Sequence, residues 1–272
     1  MSARRRPELW GVVNATPDSF SDGGLFASER AAIEHGLSLV EQGASVIDVG
    51  GESTRPGANR VSPDEEEKRV IPVVRALADQ GVVVSVDTMR ASTARKAVEV
   101  GARIINDVSG GLADPDMFSV AAKAGVDYVL MHWRGHSNTM DSLAHYDNVV
   151  SDVAHELRLR QEEAVRAGID PSRLLVDPGL GFAKTPQHNW SLLSQLDEVA
   201  PSGIRMVVGA SRKRFLGELL PGEHTPAERD GASAALGVLL AEAGVFALRV
   251  HNVRVHREAL DVWQAFHEGG AS

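Results

Sequence analysis

One pattern runs through the chain eight times: a short apolar, β-rich run, a polar turn, then a stretch with helical periodicity. The apolar runs are residues 9–13, 45–49, 82–86, 103–105, 128–131, 174–176, 206–208 and 246–250. Helical patterns follow each: 28–43, with Ser28 as the expected cap, then 63–80, 92–100, 115–124, one ending near Gly168, one after Thr185, 226–243 and 255–267. Strand–helix alternation implies a parallel sheet with right-handed crossovers. Eight units in about 250 residues is the size of a closed (β/α)8 barrel. A doubly wound open sheet is the alternative, but the even spacing favours closure and no G-x-G-x-x-G opens the first helix. The reading is therefore α/β, a single-domain TIM barrel over residues 1–272, with residues 1–7 as a disordered extension and the ligand site at the carboxyl ends of the strands.

Those ends are chemically one-sided. Immediately after the apolar runs come Asn14, the loop 50–55, Asp87, Asn106 with Asp107, His132, Asp177, Ser211 with Lys213, and Arg249 with His251. A lone Asp or Asn at such a position is ordinarily a turn or cap residue. Caps, however, need no Lys, Arg or His, and carboxylates beside an apolar interior are costly without donors, which a ligand or Lys213 would supply.

Composition narrows the function. With 28 Lys+Arg against 37 Asp+Glu the formal net charge is −9, which argues against nucleic acid or an anionic membrane as partner. A small anion in a local pocket remains compatible. No cysteine is present, which excludes disulfides, thiolate metal sites and a thiol nucleophile. No apolar stretch reaches the roughly 18 residues of a membrane span, and residues 1–7 are not followed by a signal-type apolar segment; a cytoplasmic protein is expected. Phosphate-loop, H-E-x-x-H and G-x-S-x-G signatures are all missing. His132 and His136 are four apart, but Gly135 and the surrounding loop composition argue against a helical metal pair.

Read together, the strand-end segments resemble the dihydropteroate synthase family of folate biosynthesis. Four stretches carry the resemblance: the first loop from Asn14 to Gly24, the second from Gly50 to Ala58, Asp177-Pro178-Gly179-Leu180-Gly181-Phe182, and Gly209 to Gly217 with Ser211-Arg212-Lys213 at its centre. Shorter matches lie at 85–90, 105–111, Met131-His132 and Arg249-Val250-His251, so nearly the whole chain is covered. The resemblance implies a Mg2+-assisted transferase that condenses 6-hydroxymethyl-7,8-dihydropterin diphosphate with 4-aminobenzoate, and a homodimer formed through helices remote from the barrel mouth.

It also implies roles. Asp177 would take the paired pterin donors, Asn106 and Asp87 the opposite ring edge, and Lys213 the pterin carbonyl, with Met131 and Phe182 as walls and Gly209 in the same pocket. Phe20, Thr54 and Pro56 would form the aminobenzoate pocket, bordered by Ser211 and Lys213. Asn14 would meet the Mg2+–diphosphate group, and Arg55, Arg249 and His251 the diphosphate. Arg249 and His251 flank Val250, so strand alternation puts both on one side of the last strand.

The chemistry expected is a dissociative substitution at the pterin methylene without a protein nucleophile. Asp87, Lys213, Arg249 and His251 would carry it electrostatically. A pterin-dependent methyltransferase would share the barrel but need no aminobenzoate pocket. A non-catalytic pterin-binding paralogue would lack the diphosphate residues present here. Two departures from the family pattern stand out: Asn252, where Asp is frequent, and Ala15, where Val is common.

Overall fold

Eight parallel strands close on one another in chain order, β1 through β8, with β8 returning to pair with β1. The computed structural model describes residues 5–16, 24–52, 61–136, 139–200 and 203–269. The strands are β1 (Glu8–Asn14), β2 (Val46–Gly50), β3 (Val84–Asp87), β4 (Ile104–Asp107), β5 (Asp127–Met131), β6 (Leu174–Asp177), β7 (Arg205–Val208) and β8 (Ala247–Val250). The helices are α1 (Gly24–Glu41), α2 (Pro63–Asp79), α3 (Ala91–Glu99), α4 (Met117–Ala124), α5 (Val149–Arg166), α6 (Pro186–Ser194), α7 (Leu196–Val199), α8 (Arg214–Gly217), α9 (Asp230–Glu242) and α10 (Val253–Gly269). The closed (β/α)8 barrel expected from the alternation is the fold observed.

Local chemistry explains the starts of α2, α5 and α6. Ser62 accepts from Glu65 N at 3.2 Å, Pro63 occupies the first turn and Asp64, Glu65 and Glu66 face the positive end of the helix dipole. Asn148 caps α5 through Val150 N and Ser151 N, and Thr185 with His188 closes a capping box on α6. Three differences from the expectation exceed a residue or two. Helix α1 begins at Gly24, so Ser28 lies inside it rather than capping it. The expected helix 226–243 is split into a 3-10 turn, Ala227–Arg229, and α9. The four-residue α8 directly after Lys213 carries too little periodicity to be read from sequence. Within the segment expected to be disordered, Arg6 reaches across to α10, where it bonds Asp261 and the Arg257 carbonyl, and Arg5 bonds Glu8 at 2.9 Å.

Strand pleating sorts the residues into two environments. Ile47, Val49, Val86, Ile105, Leu130, Val176 and Val208 join the main core between sheet and helices. Their neighbours Trp10, Val46, Ile104, Val129, Leu175, Val207 and Ala247 form a separate apolar cluster that plugs the amino-terminal part of the barrel interior. Two residues further along the same inward face stand Asp48, Asn106, Met131, Asp177, Gly209 and Arg249. The interior thus changes from apolar to polar within one step of the pleat.

Candidate active site

Asp87, Asp107 and Asp177 were expected to follow their strands; each is the last residue within one. Ladder pairing fixes their directions. Asp87 pairs with Gly50 and Asn106, and Met131 with Asp177. Asp87 and Asn106 face the barrel interior, whereas Asp107, one residue on, faces outward. There Asp107 accepts from Tyr128 Oη at 2.6 Å, from Ser109 N and Oγ at 2.8 and 2.7 Å, and from Gly111 N at 2.7 Å. It organises the turn after β4 rather than the mouth.

Inside the mouth, Arg249 bridges two carboxylates: its Nε donates to Asp48 Oδ2 and its Nη2 to Asp87 Oδ2. The donor beside Asp87 is Arg249, where the sequence left the donors of the strand-end carboxylates to a ligand or Lys213. Asp48 also accepts from Asn106 Nδ2 at 3.1 Å, while its Oδ1 has no hydrogen-bond partner among the described residues. Burial pushes the Asp87 carboxyl up to about 7 against the pull of Arg249, and the two carboxylates hold the guanidinium above its ordinary range despite burial.

Asp177 accepts from Gly179 N at 2.7 Å; burial raises its pKa, with this amide, Lys213 and Arg249 opposing. Lys213 is lowered to about 8 by burial, donates to the Leu180 carbonyl and lies 4.2 Å from the centre of the Phe182 ring. Met131 belongs to a small cluster with Met89 and Val108, against which Phe182 packs, separate from the main core. That position sets Met131 and Phe182 beside the barrel mouth, apart from the main core.

At the opposite rim, Ser211 Oγ meets His251 N at 3.2 Å and His251 Nδ1 at 3.1 Å, tying the ends of β7 and β8 together. Asn252 donates to Asp230 at 2.9 Å, while its Oδ1 accepts from Val255 N at 3.3 Å at the start of α10. Asp230 in turn pairs with Arg212 at 2.6 Å. An amide fits beside Asp230, where a second carboxylate would be repelled. Asn14 ends β1 opposite Gly50. Phe20, Thr54, Arg55 and Pro56 lie outside the described residues. The residues bounding that second loop are joined, since Arg90 pairs with Glu52 at 2.7 Å and donates to the Val61 carbonyl at 2.6 Å.

Two groups escaped the sequence reading. Asp48 sits in the middle of an apolar run, and its signal was its parity: Ile47 and Val49 point to the core, so Asp48 must point inward. Lys184 had no such signal, because its burial depends on how the turn after β6 folds. His132, read as a strand-end polar group, has both ring nitrogens engaged, Nε2 by Glu156 Oε2 at 3.0 Å and Nδ1 by Lys184 Nζ at 2.8 Å. Behind these walls the backbone is tight. A Cβ at Gly110 would stand 2.8 Å from the Met131 carbonyl, and one at Gly179 would collide with the His132 carbonyl.

A (β/α)8 barrel whose mouth sets buried carboxylates, an amide and two cations beside apolar side chains is the setting of an enzyme site for a small polar ligand. Residues 10–251 match the family described as pterin binding enzyme, and the chain belongs to that family. Within it, the chain is similar to dihydropteroate synthases. It is 50% identical to the Mycobacterium leprae enzyme over 97% of this chain and 94% of the relative. The Xanthomonas albilineans dihydropteroate synthase solved with 4-aminobenzoic acid superposes with a TM-score of 0.89 at 45% identity, covering 96% of this chain and 93% of that one. The same enzyme in complex with 7,8-dihydropteroate gives 0.86 at 42% identity, covering 96% and 94%.

Proposed function

We propose that this chain condenses 6-hydroxymethyl-7,8-dihydropterin diphosphate with 4-aminobenzoate to give 7,8-dihydropteroate and diphosphate. The observation that carries the reading is the convergence of Asp87, Asn106, Asp177, Lys213 and Arg249 from β3, β4, β6, the turn after β7 and β8 around one mouth, in a chain half identical to a named synthase. Asp177 and Asn106 present acceptors to the ring edges, Met131 and Phe182 enclose its faces, and Lys213 supplies a donor beside them.

The C–O bond at the pterin methylene breaks with its electron pair leaving on the diphosphate. The arylamine lone pair then forms the new C–N bond and the amine releases a proton. Asp87 opposes the positive charge that develops on the ring, and Arg249 with His251 receives the departing charge. A diphosphate at Arg249 competes with Asp48 and Asp87 for the guanidinium, so leaving-group binding frees anionic charge toward the cation. Thr54, Arg55, Phe20 and Pro56 complete the proposal as the aminobenzoate and diphosphate residues.

Mg2+ is part of the proposal on donor chemistry. Among the described residues no cluster of three or more His, Asp or Glu side chains could hold a metal ion. Asn14 offers a single carboxamide oxygen, which fits an ion bound chiefly through substrate phosphates and water. When bound, Mg2+ would supply charge neutralisation on the diphosphate. The homodimer is supported by exposed apolar side chains on adjoining helices, Leu239 on α9 and Val262 and Phe266 on α10. No helix among the described residues is long and apolar enough to cross a membrane. A cytoplasmic location belongs to the same proposal, and cell fractionation tests it.

Mass spectrometry of reactions containing the pterin diphosphate, 4-aminobenzoate and Mg2+, with each omitted in turn, tests the function. Aminobenzoate-dependent dihydropteroate is the expected result. Pterin binding without product would point to a binding paralogue, and no pterin binding would overturn the site.

A further inference from the structure

Lys184 is a buried amine, 9% exposed, and the chemistry above makes no use of it. A buried ammonium is expensive unless all its protons are taken. Here they are: Nζ donates to His132 Nδ1 at 2.8 Å, the Gly179 carbonyl at 3.0 Å and the Phe182 carbonyl at 3.1 Å. Two of the three acceptors bracket one turn, itself closed by Phe182 N donating to Gly179 O at 3.1 Å.

That turn positions the pterin carboxylate. Gly179 N donates to Asp177 Oδ1, so the amide that orients the carboxylate belongs to the residue whose carbonyl Lys184 holds. The third acceptor leads back to the same place. The His132 backbone N–H donates to the Asp177 carbonyl at 2.9 Å. Since Nδ1 accepts from the ammonium, the ring proton sits on Nε2 and goes to Glu156, which Arg134 also grips. Lys213 holds the Leu180 carbonyl, and Asn189 Oδ1 takes Gly181 N at 2.8 Å.

We propose that Lys184 is a positioning residue for substrate binding, fixing through the Gly179–Phe182 turn the Asp177 carboxylate and the Phe182 ring. The assignment rests on the reading of Asp177 as the pterin carboxylate. A tether serving only stability has a cheaper form, because buried ionic groups are often replaced by apolar ones of equal volume without loss. Burial lowers the amine to about 7, so its three contacts rather than a permanent charge serve placement.

Lys184→Met keeps the volume and removes the three donors. Steady-state kinetics with both substrates, with the pterin dissociation constant measured separately, should show the pterin KM and Kd raised about tenfold or more, since one misplaced polar group costs about a factor of ten. The turnover number should stay within about threefold of the parent, as expected for lost ground-state placement. Hydrogen exchange at the Gly179 amide should quicken. Unchanged pterin affinity, or a fall in kcat alone, overturns the proposal. If the Met variant does not fold, Lys184→Gln, which keeps amide donors but not all three contacts, is measured identically and should still show a pterin KM above the parent's; no rise overturns the proposal as well. The parent enzyme run alongside separates the two claims. A parent that binds no pterin overturns the site reading and this inference together, whereas a normal parent with a normal variant overturns this inference alone.

Discussion

The carboxylate of Asp48 accepts a hydrogen bond from the side-chain amide of Asn106 at 3.1 Å, deep in the barrel and across two strand positions. The bond sets which end of the Asn106 amide is which: Nδ2 is committed to Asp48, and Oδ1 is left to accept from a ligand. The same Asp48 oxygen receives Arg249, so one residue orients two side chains of the proposed site.

Asp48→Asn should therefore lower kcat/KM for the pterin diphosphate by about tenfold to a hundredfold, the range for a lost charge-assisted bond of roughly 1.5–3 kcal/mol. The aminobenzoate KM should move much less. Isothermal titration with the pterin substrate and steady-state kinetics check both. Unchanged pterin affinity would remove Asp48 from the site.

Asp87 is pushed up to about 7, first by burial and against Arg249, so the free enzyme holds a proton there in mildly acid solution. Only the anion can oppose a developing ring cation. Accordingly kcat/KM should fall as pH drops through about 7, and Asp87→Asn should flatten that limb while reducing kcat more than pterin affinity. A pH–rate series from 5.5 to 9, roughly the span over which such a group titrates, makes the comparison. Equal losses in kcat and affinity would assign Asp87 to binding instead.

His132 is kept neutral, lowered to about 4 by burial and then by Lys184. Between its ordinary value of 6.5 and about 4 the unfolded chain takes up a proton that the native state refuses, so stability must fall as pH falls across that window. The contribution is on the order of 3 kcal/mol. Denaturant melts of the parent and of His132→Gln at pH 7 and pH 4.5 should show the shallower pH dependence in the variant; parallel slopes would contradict it.

Gly179→Ala should destabilise the fold by about 3 kcal/mol or more and abolish pterin binding. Its φ is +67°, unfavourable for an L side chain, and the new methyl would collide with the His132 carbonyl. Thermal melting and pterin titration together test this. A variant that melts like the parent would show that the turn has room to shift.

Much of this was written in the order of residues. Eight alternations specified the barrel because each strand buries both faces and so reads as a continuous apolar run. The mouth was legible because Asp87, Asn106, Asp177 and Arg249 interrupt those runs at their ends. What the sequence hid were partnerships between distant residues. Arg249 with Asp87 spans 162 positions and Lys184 with His132 spans 52, and no periodicity encodes either. Asp107 was grouped with Asn106 by adjacency, and only strand parity separates a turn organiser from a pocket residue. Helix α8 was hidden by shortness.

The two glycines behind β5 have a bearing on inhibitor chemistry. With Gly110 seated on the Met131 carbonyl and Gly179 on that of His132, this wall is braced from both sides by backbone atoms, which yield far less readily than side chains. At the proposed site, a ligand enlarged toward Met131 could displace its flexible side chain but not the braced main chain behind it.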